Sequence, residues 1–141
     1  MQAPGSAGPN EAFVYIERRG ARVAIARLRR ESIPFNFDAI IGIRGTITRV
    51  TKVGDLLLLQ VPVKLRREHS LYRNLKPGDV MIAPQFNCLA VLVGEAVPGN
   101  IELFKAGEVV EGLEKLASLQ SGENVSIKVT PGSLQLGAGA A

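Results

Sequence analysis

The sequence predicts a mainly β domain, about eight strands closed into a barrel and capped by two short helices. Three observations carry that expectation. Short β-branched and apolar runs follow one another along most of the chain, each bounded by Gly, Pro, Asp or Asn. Helical spacing of apolar residues is confined to two short stretches. No strand–helix–strand rhythm is present, so a parallel sheet flanked by long helices is not expected.

Residues 1–11 are rich in Gly, Pro, Ala and Ser and read as a loose tail. Phe13-Val14-Tyr15-Ile16-Glu17-Arg18 and Arg22 to Leu28 are strand-like, and the short turn Arg19-Gly20-Ala21 joins them as an antiparallel hairpin. Between Glu31 and Gly42, Pro34 suits a helix start and Gly42 its end, with Phe37, Ile40 and Ile41 on one face. The Ile content leaves a strand as the alternative there. Thr46 to Thr51 alternates, Val53-Gly54-Asp55 turns, and Leu56 to Val61 runs back as a second hairpin, ended by Pro62. Lys76-Pro77-Gly78-Asp79 turns into Val80 to Ala83, and Cys88 to Val93 follows as a buried strand. Ile101 to Phe104 is a short strand, Leu113 to Leu119 a short helix, and Val125, Ile127 and Val129 alternate as the last strand. Residues 133–141 form a second loose tail, so the barrel domain spans 12–132. Val23, Ile25, Ile47, Leu57, Leu59, Cys88, Val91, Val109, Leu116 and Ile127 are expected inside.

With 141 residues, 46% hydrophobic and 21% charged, the chain can build one core and is not expected to be disordered. The apolar run Val53 to Leu59 is broken by Gly54 and Asp55, and both it and Cys88 to Val93 fall far short of the roughly 20 residues that span a bilayer. No basic and apolar leader opens the chain, so a cytoplasmic protein without membrane contact is expected. Cys88 is the single cysteine, which excludes an internal disulfide and a cysteine zinc cage; its apolar neighbours make it a core residue. His69 is the single histidine, in a charged stretch that reads as a surface loop, and one His builds no multi-ligand metal site. Neither a metal nor a cofactor is expected. The net charge of +4, with Arg18, Arg19, Arg22, Arg27, Arg29 and Arg30 early in the chain, raises the question of nucleic acid. Single-strand binders interleave basic and stacking residues, whereas aromatics here are 5% with no Trp, so nucleic acid is not the expected partner.

Gly107-Glu108-Val109-Val110-Glu111-Gly112-Leu113-Glu114 resembles the G-K-V-V-E-G-M-D stretch of cyclophilins. Ser32-Ile33-Pro34 with Phe37, Ala39 and Ile40 looks like the P-x-T-x-x-N-F entry of their first helix. Val53-Gly54-Asp55-Leu56 through Val61-Pro62-Val63 looks like the W-G-D-E-I-Y-F…P-V hairpin of the compact prokaryotic branch. Lys76-Pro77-Gly78-Asp79-Val80 with Ala83-Pro84 is similar to that branch's G-D-V…W-P-P step. On these motifs, in this order over residues 12 to 130, the chain resembles the small prokaryotic cyclophilin-like domains.

The resemblance implies a cyclophilin-like barrel, and prolyl isomerisation as the activity to consider. The X-Pro barrier of about 18–20 kcal/mol comes from amide resonance, so catalysis requires a fixed cation at the prolyl amide and an apolar pocket for the ring. Laid on the family pattern, Arg49 takes the place of its arginine, but Thr48 stands for its histidine and Asp55 for its pocket phenylalanine. Leu58 falls where glutamine is expected, with Gln60 two residues on, and Pro98 and Leu103 lie near the places of the family Trp and His. Arg49 is therefore the one catalytic candidate, while Gln60, Phe86 and Phe104 are candidates to line a ligand cleft on the barrel side. The expectation is a binding module for a peptide, a protein segment or a small ligand. A weak peptidyl-prolyl isomerase using Arg49 is the alternative, and a basic RNA-binding module using the first hairpin is a second.

Overall fold

The computed structural model describes residues 9–132. The chain runs β1 (Glu11–Arg18), β2 (Ala21–Arg29), α1 (Phe37–Ile40), β3 (Arg44–Val53), β4 (Leu56–Gln60), β5 (Asp79–Ala83), β6 (Cys88–Leu92), β7 (Phe104–Glu111), α2 (Leu113–Ala117) and β8 (Asn124–Pro131). The strands close into one barrel in the order β1-β2-β7-β5-β6-β4-β3-β8, with β8 returning to β1 and every pairing antiparallel. Closure leaves no open sheet edge. The expected mainly β barrel with two short helices is what the chain forms. Among the described residues no helix is long and apolar enough to cross a membrane.

Both expected hairpins form. In the first, Arg18 pairs with Ala21 across Arg19 and Gly20, which both have positive φ (54° and 80°). That sign at both turn residues matches the right-handed twist of the flanking strands. In the second, Val53 pairs with Leu56 across Gly54 and Asp55. Of the expected tails, residues 1–8 and 133–141 lie outside the described residues. Residues 9–11 join the domain: Arg30 donates from its backbone to Asn10 O (2.9 Å) and from Nε to Pro9 O (2.9 Å), and pairing begins at Glu11.

The barrel interior is filled by inward residues such as Val14, Leu28, Val50, Leu57, Leu59, Val91 and Ile127, plugged by Phe37 and Ile40 of α1 and Leu116 of α2. A second apolar layer lies outside the barrel, over β4, β6 and β5. There Leu56, Leu58, Met81, Ala90 and Leu92 are covered by Tyr72 and Leu75 from connection 61–78, and by Ile101 and Leu103 from connection 93–103. The run Leu56-Leu57-Leu58-Leu59 is thus buried on both faces of one strand.

Several expectations give way. Ile47 is 76% exposed, not inside. Side chains alternate along a strand, so Ile47 and Val50 point to opposite faces; Val50 and Thr48 take the interior, which sends Ile47 out. Val109 is only half-buried against the core. The first helix shrinks to Phe37–Ile40, because residues before it are drawn into turns by contacts with the segment near Glu68. The strand expected at Ile101 starts at Phe104 instead, since residues 101–103 serve as cover for the outer layer.

Gly107 marks the closest backbone approach. It pairs with Leu28 on one side and Val80 on the other, and a Cβ there would sit 1.6 Å from Arg27 O. Backbone cannot step aside as a side chain can, so Gly107→Ala should destabilise by at least the about 1–3 kcal/mol typical of overpacking. Leu57→Ala and Leu59→Ala should each cost about 2–5 kcal/mol. Ile47→Ser should stay within about 0.5 kcal/mol of wild type, as exposed positions do. Urea denaturation of the four variants checks the assignment; a large loss at Ile47 would place that residue in the core.

Candidate functional site

Arg49, Gln60 and Phe86 are brought to one side of the barrel. Val50 pairs with Leu59, and the next residues on the two strands, Arg49 and Gln60, are both exposed. Gln60 pairs with Cys88, two residues after Phe86, which is 48% exposed in the turn between β5 and β6. Phe104 does not join them. It is 1% exposed inside the barrel, with the Arg67 guanidinium 5.8 Å from its ring centre, so it lines no cleft. The outer face beside Leu58, where the resemblance places a prolyl pocket, is occupied by Leu103, Ile101 and Tyr72 of the chain itself. Burial lifts the Cys88 thiol above its ordinary pKa, and Cys88 Sγ lies 3.3 Å from Phe86 O, so this is an inert core thiol.

The richest set of polar groups lies where connection 61–78 crosses the sheet. Two amides hold that connection by its backbone. Asn87 accepts from Leu65 N (2.7 Å) and donates to Val61 O and Val63 O (3.0 and 2.6 Å). Asn36 accepts from Arg66 N (2.7 Å) and donates to Arg66 O (2.8 Å) and to the Glu68 carboxylate (2.6 Å). Asn36 precedes α1 but makes no capping bond; its side chain serves the connection instead. The buried Glu68 carboxylate also accepts from Phe35 N at 3.0 Å.

Beyond this anchor, three groups meet. Asp79, 4% exposed at the start of β5, accepts from Tyr72 Oη (2.8 Å) and Lys76 N (2.8 Å) and lies 3.3 Å from Lys105 Nζ. Lys105 also approaches Tyr72 Oη at 3.4 Å, its ammonium 5.0 Å from the ring centre. Burial, with the hydrogen bond to Asp79, pushes the Tyr72 hydroxyl above its usual pKa. Burial pulls Lys105 down, but its bonds to Tyr72 and Asp79 outweigh that and raise it. A protonated Tyr72 and a charged Lys105 are therefore the resting state near neutral pH, which suits hydrogen-bond donation rather than base chemistry.

Tyr72 and Lys105 form one wall of a cavity of about 370 Å³, lined further by Glu31, Ser32, Pro34, Glu68, His69, Ser70 and Leu71. The Phe35 ring packs on His69 with centroids 4.7 Å apart. The Glu68 oxygens are taken by Phe35 N and Asn36 Nδ2. Glu31 adds to the field that holds the proton on Arg29. The rest of the polar lining is the Lys105 ammonium and the exposed Glu31 carboxylate, with the His69 ring and the Ser32 and Ser70 hydroxyls, which can donate or accept. Among the described residues, no group of His, Cys, Asp and Glu is arranged to hold a metal ion.

Tyr72, Asp79, Glu68 and Lys105 were not legible as a set. Lys105 carried a signal, a charge between Phe104 and Ala106 in an apolar strand. Asp79 carried one too, but as part of a Pro-Gly-Asp turn, a role it also fills by accepting from Lys76 N. The early arginines are largely compensated: Arg18 with Glu123 (2.7 Å), Arg22 with Glu111 (3.1 Å), Arg27 and Arg29 with Glu108 (3.3 and 2.6 Å), and Arg30 with Asp38 (3.0 Å).

Tyr72 and Lys105 both hold their protons more firmly in the folded chain than their ordinary values imply. Their contribution is complete below the unfolded values, about 10 and 10.4, and is lost as pH rises through the folded ones. Stability should therefore fall as pH rises above about 10, less steeply in Tyr72→Phe and in Lys105→Met. Urea midpoints across that range check this; equal slopes in all three proteins would remove the cluster from the titration.

No family model and no curated protein matches the chain. Among solved structures, it is similar to the solution structure of the hypothetical protein AF2241 from Archaeoglobus fulgidus, with a TM-score of 0.71 at 19% identity, over 88% of this chain and 98% of that one. At that identity the likeness is one of fold.

Proposed function

We propose that this chain is a cyclophilin-like binding module that takes a peptide or small ligand by a carboxylate or carbonyl group, in the cavity walled by Tyr72 and Lys105. The observation that carries the reading is the balance of that lining. The buried Glu68 carboxylate already has its partners, while an ammonium, an imidazole and two hydroxyls line the space beside the exposed Glu31. Pockets of this kind fix a ligand by a few placed polar groups on apolar walls, here Leu71, Pro34 and the Tyr72 ring.

Prolyl isomerisation fares worse. Catalysis needs contacts stronger in the twisted transition state than in the planar amide. Arg49 is the catalytic candidate, and it is exposed, where water screens its charge, with no open apolar pocket beside Leu58 to hold a prolyl ring. An RNA-binding role for the first hairpin has little free charge to draw on, since five of its six arginines are paired.

Two measurements test the reading. With an X-Pro peptide, kcat/KM should stay below about 10⁴ M⁻¹s⁻¹, the lower end for ordinary enzymes. A faster rate that vanished in Arg49→Ala would establish the isomerase instead. Short peptides with a free C-terminal carboxylate should shift the amide resonances of residues 31–34, 68–72 and 105. Binding should weaken about tenfold or more, a loss of about 1.4 kcal/mol, in Lys105→Met and on amidation of the peptide. His69→Ala, at an exposed position, supplies a variant with little risk to folding. Shifts elsewhere, or none at millimolar peptide, would refute the cavity as the site.

A further inference from the structure

The outer face formed by β3, β8 and β1 is unlike the rest of the barrel surface. Among the described residues it carries no covering segment comparable to the one over β4, β6 and β5. Ile47 stands at its centre, in a cross-strand row with Ser126 and Glu17. Ser126 is small, and beside it the surface dips into a depression of about 870 Å³, bounded by Ile47, the Arg19-Gly20 turn, and the Gly122 to Val125 turn and strand start. A β-branched apolar side chain three-quarters exposed on a strand serves no packing purpose among the described residues.

The charges around Ile47 are also unlike those elsewhere. On the β2–β7 face each arginine of β2 has a carboxylate partner. Around Ile47, Arg44 and Lys128 are paired across β3 and β8, Arg49 lies opposite Asn124, and Arg19 stands at the hairpin tip. Among the described residues these four cations have no carboxylate within the 4.0 Å that defines an ion pair. Glu123 is held low in pKa by its bond to Arg18, so that pair is internally neutral. Glu17 is left as the one carboxylate of the depression not paired in this way.

We propose that this face docks an acidic, extended segment of a partner protein, one apolar side chain resting on Ile47 and flanking carboxylates meeting Arg49, Arg44, Lys128 and Arg19. Charge complementarity selects the occupant. The same face of a second copy would set like charges against each other, which is costly. A nucleic-acid strand needs aromatic faces to stack its bases on; none lines the depression, and Tyr15 of β1, paired with Lys128, already lies under that ammonium at 6.0 Å. Strand addition is also closed to the partner, because every strand already has two neighbours. Recognition must therefore run through side chains, with electrostatics setting the on-rate and the contact at Ile47 its lifetime. The site is separate from the Tyr72–Lys105 cavity, so it stands or falls independently of that reading.

The probe is a fluorescent peptide of roughly ten residues, Glu-rich with a central Leu, which at about 3.3 Å per residue crosses three strands. Anisotropy titration should show binding at low salt that weakens steeply near 0.5 M, where the screening length falls to about 4 Å. Arg49→Glu and Ile47→Ser should each weaken it about tenfold or more, whereas Arg73→Glu, an exposed charge reversal on connection 61–78, should leave it unchanged. Amide shifts should concentrate at residues 44–49 and 124–128. No binding, or binding indifferent to both face variants, overturns the proposal. So does a single-stranded oligonucleotide that binds the same residues more tightly, which would make this a nucleic-acid face.

Discussion

Four consecutive leucines on one strand cannot all face the inside of a barrel. Leu57 and Leu59 do, and that sends Leu56 and Leu58 outward, where they join Met81, Ala90 and Leu92 of the neighbouring strands. An apolar sheet face of that extent must be covered, and the two long connections, 61–78 and 93–103, do so with Tyr72, Leu75, Ile101 and Leu103. Much of what distinguishes this molecule follows from that requirement. The connections cannot wander as surface loops; they are held down over apolar side chains and must settle their own polar backbone while doing so.

The buried polar residues answer that second demand. Asn36 and Asn87 each satisfy both an N–H and a C=O of connection 61–78, since a carboxamide carries a donor and an acceptor side by side. Asp79 closes the same connection at its far end by accepting from Lys76 N and Tyr72 Oη. A carboxylate buried that deeply is costly unless a cation compensates it, and Lys105, across the β5–β7 ladder, does so. The cation then has a face left over, toward the cavity. The proposed ligand site is thus a by-product of the way the covering segment is fastened.

The overall charge of +4 conceals two different surfaces. Along β2 and β7 the arginines sit opposite glutamates, with Glu108 gripping Arg29 through both oxygens (2.6 and 2.8 Å), and such pairing leaves little field for a partner. Along β3, β8 and β1 the cations lie opposite polar or like-charged residues, so their field reaches into solvent. Composition reports the sum of these surfaces, while recognition depends on how they are distributed.

The order and type of the elements were largely determined by local sequence. Turn residues with positive φ, such as Gly20 and Gly54, set both hairpins, and the short strands between Gly and Pro set a mainly antiparallel β pattern. The face that each residue would show was a different matter. Thr46 to Thr51 contains two apolar residues of opposite parity, Ile47 and Val50, and only the register against β8 and β4 decided which went inside. Phe104 read as an exposed cleft residue because nothing local reveals that β7 begins there and turns that ring into the barrel. The meeting of Tyr72, Asp79 and Lys105 was beyond local reading altogether, since it depends on a non-periodic segment, a turn and a strand drawn from 33 residues of chain separation between Tyr72 and Lys105. Local propensity acts over a few residues and so could specify turns and strands; which side chains meet was decided by barrel closure and by the need to cover β4, neither of which any one segment contains.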